Sequence, residues 1–107
     1  MSVLDSYRRN VARKREEIAK LQHEKAKEQA RIANLSGKIS SVSQALSRTS
    51  NISMAKSKLR EIERYQKDQA TAEKKVADFE RKIALKQKEL SDEQKKVSRE
   101  EEKNSKV

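Results

Sequence analysis

The chain has 107 residues, 27 of them Lys or Arg and 17 Asp or Glu, for a net charge of +10; 33% is apolar and 3% aromatic, with no Pro, no Cys and one Gly. So little large apolar surface excludes a multilayer globular core, and the lack of turn residues excludes an antiparallel sheet architecture. Without Cys there is no disulfide and no thiolate metal site. No apolar run reaches the roughly 18 residues of a membrane span, and no signal-peptide core follows Met1, so the chain reads as cytoplasmic.

At the start, Ser2 and Asp5 form a capping pair for a first helix expected over about 3–47. Its heptad a positions carry Leu4, Val11, Ile18, Ile32, Ile39 and Leu46, interrupted by Lys25; its d positions carry Tyr7, Leu21, Leu35 and Val42, interrupted by Lys14, Glu28 and Thr49. Gly37 falls at the outward f position and leaves the phase intact. The segment from Ser47 to Ser53 has the poorest helix propensity, because Ser, Thr and Asn side chains compete for backbone groups. It predicts a bend at about 48–52, with Asn51 or Ser53 capping the next helix. Helix 2 is expected over about 53–103. Its a positions hold Ala55, Ile62, Val76, Ile83, Leu90 and Val97, with Gln69 as a gap; its d positions hold Tyr65, Ala72 and Phe79, with gaps at Lys58, Lys86 and Glu93.

A seam every 3.5 residues, sustained for about six heptads per arm, is a coiled-coil pattern. The expected fold is all-α: an antiparallel coiled-coil hairpin of two long helices, a single domain over 1–107, pairing into a dimeric four-helix bundle. One register sets Tyr7 against Leu90, Ile18 against Phe79, Ile32 against Tyr65 and Leu35 against Ile62. It also makes four flanking pairs opposite in sign: Glu17–Lys82, Glu24–Lys75, Arg31–Asp68 and Lys38–Glu61. A slip of one heptad would set Glu17 beside Glu89 and Arg31 beside Lys75, so the sequence favours the first register.

Seven of the 11 alanines share heptad position b: Ala12, Ala19, Ala26, Ala33, Ala70, Ala77 and Ala84. Ala is the best helix former on any exposed face, but a small-residue stripe beside the seam also lets another helix approach closely. That second reading makes these alanines an oligomer interface, a homodimer above all. Arg60, Lys67, Lys74, Arg81, Lys88 and Lys95 all fall at f on the second helix. They form either a solvated outer face or an anion stripe that tracks phosphate by non-specific charge. No Gly-rich loop, aromatic stacking pair or zinc spacing accompanies them, so nucleic acid is disfavoured as a partner. Membrane insertion is disfavoured too, because the seam is narrow and lacks Trp.

Nothing in the sequence forms a catalytic constellation, so the chain is not expected to be an enzyme and no cofactor or metal is assigned. The one histidine, His23, lies at an outward f position. Glu28, at a core position, reads as a register device.

The stretch Thr49-Ser50-Asn51-Ile52-Ser53-Met54-Ala55-Lys56-Ser57-Lys58-Leu59-Arg60-Glu61-Ile62-Glu63-Arg64, followed by a Lys/Gln/Glu-rich helix, resembles the N-terminal coiled-coil region of bacterial TIR-domain proteins. The similarity covers roughly residues 36–103. It implies an assembly module that clusters a covalently attached, NAD-cleaving downstream domain in bacterial immunity or virulence. The chemistry would lie in that domain, since this chain carries no position matching its catalytic glutamate.

Overall fold

The computed structural model describes Ser2–Ser105. It is a helical hairpin: α1 spans Val3–Ser47, α2 spans Ile52–Ser105, and there is no strand among the described residues. Both helices start at side-chain caps. The Asp5 amide donates to Ser2 Oγ at 3.1 Å, and the Met54 amide donates to Asn51 Oδ1 at 3.1 Å. Each cap satisfies one amide that has no partner inside its helix. In the bend, Arg48 N bonds Ala45 O and Thr49 N bonds Leu46 O, each at 3.2 Å. These are i to i−3 bonds, the tightening expected where an α-helix runs out.

Two compact units divide the chain. One joins the residues up to Glu24 with those from Phe79 onward; the other is Lys25–Asp78. In the first, Ile18 and Ile83 are buried; in the second, Leu35 and Ala72 are. Every other a and d position named above, the polar gaps included, is half-buried. A 3.5-residue repeat faces a single neighbour, so it forms a thin seam rather than a core with depth.

The two flanks of the seam differ. Six g positions are half-buried (Asn10, Glu17, Ala45, Glu61, Asp68 and Glu89), while every e position from Arg8 to Ser50 and from Ile52 to Gln94 is exposed. In each unit the helices thus close on the g side and leave the e side, with the b stripe beyond it, open to solvent.

Gly37 lies inside α1 without a positive φ, and an added Cβ would meet nothing within 4 Å. Only its backbone entropy counts, so Gly37→Ala should stabilise the chain by about 0.5–1 kcal/mol. Thermal unfolding followed by circular dichroism checks this; an unchanged or lower melting temperature would contradict it.

Candidate functional site

The polar gaps in the seam are where the structure concentrates its chemistry. In the first unit, Lys14 and Lys86 occupy core d positions of opposite helices. Neither ammonium can remain among apolar neighbours, so each long stem runs along the seam and turns out to the flank. Lys14 Nζ donates to Glu89 Oε2 at 2.8 Å, and Lys86 Nζ lies 2.9 Å from Glu17 Oε2. The square closes within each helix, with Lys14–Glu17 at 3.7 Å and Lys86–Glu89 at 3.6 Å. These four side chains are between 23% and 37% exposed, enough shielding to make the arrangement selective without the cost of full burial.

This clamp corrects the expected register. Glu17 pairs with Lys86, one turn beyond the Lys82 expected, and it now sits near Glu89, the like-charged neighbour that had argued against the slip. Other contacts agree. Asn10 Nδ2 donates to Glu93 at 3.4 Å in the same unit. In the second unit, Gln69 Nε2 donates to Ile32 O at 3.2 Å and to Ser36 Oγ at 2.7 Å, and Lys38 Nζ stands 5.7 Å from the Tyr65 ring centre. Each is a contact of the register slipped by one heptad. The repulsion is overcome because two lysines interleave with the two glutamates.

Charge shifts in the clamp follow from these contacts. The hydrogen bond from Lys86 holds the Glu17 carboxyl below its ordinary value of 4.5, with partial burial opposing and the attraction of Lys86 and Lys14 adding. The hydrogen bond from Lys14 does the same for Glu89. Lys86 is raised above 10.5, chiefly by its bond to Glu17.

The second unit holds a looser polar gap. Glu28 Oε1 lies 3.9 Å from Lys75 Nζ, and its Oε2 is buried without a hydrogen-bond partner. Gln69 does better, because its amide nitrogen donates to both a carbonyl and a hydroxyl of the opposite helix.

The other residues singled out from the sequence fall as follows. Leu4, Tyr7, Val11, Leu21, Ile32, Ile39, Val42, Leu46, Ile62, Tyr65, Val76, Phe79, Leu90 and Val97 are half-buried along the seam. Ala12, Ala19, Ala26, Ala33, Ala70, Ala77 and Ala84 are exposed, and so are Arg60, Lys67, Lys74, Arg81, Lys88, Lys95 and His23. On the open side of the first unit, Val11, Ala12, Val97 and Ser98 line a surface groove between Arg8 and Arg15. Among the described residues there is no cluster of three or more His, Cys, Asp or Glu side chains placed to hold a metal ion, and no helix long and apolar enough to cross a membrane.

Sequence reasoning missed the clamp. Lys14 and Lys86 were visible as gaps in two d series, but their reach to opposing g carboxylates was not counted. No family model, no curated protein and no solved structure matches the chain, so nothing there links it to TIR-domain proteins.

The sign of the clamp's pH dependence is fixed by the direction of its shifts. A carboxylate held below 4.5 in the folded chain stabilises it fully above 4.5, and this is lost as pH falls through the lowered folded value. Lys86 behaves oppositely: its contribution is full below 10.5 and is lost as pH rises through its raised value. Melting temperature against pH should therefore fall on the acid side less steeply for Glu17→Gln with Glu89→Gln than for the natural chain. Identical acid limbs would show that the clamp carries no stability.

Proposed function

We propose that the chain is a self-associating coiled-coil scaffold whose hairpins pair through their open e and b sides. What carries this reading is the asymmetry of the seam. The g flank is half-closed, while the e flank is open, with Val11 and Val97 reachable in a groove whose rim is Ala12 and Ser98. Ile52 and Leu59, both at e, are 74% and 48% exposed. A thin seam with one open side gains most by burying that side against a second copy, and alanines there keep the approach close. The resemblance stated above would make the attached cargo a TIR domain; a TIR reading frame downstream of the coding sequence would support that part, and its absence would remove it.

Ala19→Glu with Ala77→Glu should break the assembly by placing charge in a close contact, while leaving helix content unchanged, since both side chains are exposed in the single hairpin. Light scattering decides. A 12.4 kDa particle whose melting does not depend on concentration would overturn the scaffold reading.

The second reading is polyanion binding by the f stripe, favoured by the exposure of all six of its cations. Under the scaffold reading, binding to random duplex DNA vanishes near the physiological ionic strength of about 0.15 M. Submicromolar binding at that salt, abolished by Lys67→Glu, Lys74→Glu and Arg81→Glu together, would favour polyanion binding instead.

A further inference from the structure

We propose that the hairpin is a two-register device, in which α2 slides along α1 by one heptad between the register described above and a second one that the same sequence satisfies. The proposal does not depend on self-association. A heptad displacement keeps every a and d residue on the seam, because the repeat is seven residues long, and it moves one helix past the other by about 10 Å. Most coiled coils forbid this by having one register far better matched than its neighbours. Here the two are close to balanced.

The first register is held by the Lys14–Glu89 and Lys86–Glu17 contacts and by Gln69 on Ile32 O and Ser36. In the first unit the second register sets Ile18 against Phe79 and Glu17 beside Lys82. In the second unit it sets Ile32 against Tyr65, Leu35 against Ile62, Arg31 beside Asp68, and Lys38 beside Glu61. The groups needed are already near one another: Arg31, Leu35, Lys38, Tyr65 and Asp68 line a single groove on the closed side. Slipping exchanges a lysine-bridged pair of glutamates for simple opposite-sign neighbours, and a Leu35 facing Gln69 for a Leu35 facing Ile62. Each exposed ion pair is worth only about 0 to 1 kcal/mol, so no single contact locks the choice.

The bend permits the slide. Its hydrogen bonds given above join Arg48, Thr49 and Met54 to residues three positions away, so they travel with the helix ends. Four residues, 48–51, separate the helices, and at up to about 3.5 Å each they span the axial offset that either register requires. A one-turn ratchet of packed elements is an established kind of conformational change. Any partner that grips the two registers unequally would shift their populations.

The chain has no Cys, so spin labels can be placed cleanly at Gln29→Cys and Ser57→Cys, both exposed and both in the second unit. The axial separation is about 27 Å in the first register and about 17 Å in the second. Pulsed electron-spin distance measurements, with labelled chain diluted in unlabelled chain, should show both populations. Lys14→Gln with Lys86→Gln should raise the shorter one several-fold. Arg31→Glu, which sets the new carboxylate beside Lys75 before the slide and beside Asp68 only after it, should deplete it several-fold. Circular dichroism confirms that helix content is kept in each variant. One population unmoved by either set of changes overturns the proposal, as does a broad distribution without two maxima.

Discussion

Lys14 and Lys86 sit at positions that should be apolar, and the rest of the hairpin is arranged around where their ammonium groups go. A lysine in a coiled-coil core has two outlets. It can be left facing an apolar layer, which strands a charge, or its stem can lie in the seam while its head reaches a flank. The second outlet needs an acceptor at the right level on the opposite helix. Glu89 and Glu17 are those acceptors, and meeting both at once sets the level of one helix against the other. The clamp is thus a register device first and a source of stability second, since its groups remain partly exposed and are screened by salt.

The same thinness that makes charge decisive leaves the molecule open on one side. Among the described residues, four buried side chains, one of them an alanine, cannot by themselves offset the ordering of helices of 45 and 54 residues. Half-buried aromatics gain something from the cations over them, as at Lys96 and Tyr7 or Arg64 and Tyr65, 5.9 and 5.3 Å from the ring centres. Lysine stems lying across the seam add apolar cover. All of this falls on the seam and its g flank. On the e flank the side chains stay exposed, even where Ser36 accepts from Gln69 and Arg8 pairs with Glu101, and the seam's own valines remain within reach of solvent.

What was legible in the sequence follows from what is local. The seven-residue repeat, the Ser/Thr/Asn bend and the caps at Ser2 and Asn51 depend on residues within one or two turns of each other. Register was not legible, because it is a comparison between sums taken over the whole seam rather than within one or two turns. Counting g–g′ charges alone rewarded Glu17–Lys82 and penalised Glu17 near Glu89. It treated Lys86 as a gap, although a lysine at d reaches as far as a residue at g. The closed and open flanks were hidden for a related reason: the heptad pattern treats e and g alike, and only the packing of the two helices makes them differ.

On the scaffold reading, the open flank and the thin seam are one fact. A hairpin whose stability is marginal alone becomes stable when a second copy covers the e and b sides, because association adds free energy that grows with concentration. The cover must approach closely to bury the valines behind the rim, and a stripe of alanines and serines permits what lysines or glutamates at b would prevent. The charges are then sorted by role. Those at g and at the core gaps set how the two helices meet, while those at f stay in water and keep a strongly basic chain apart from copies that approach on the wrong side.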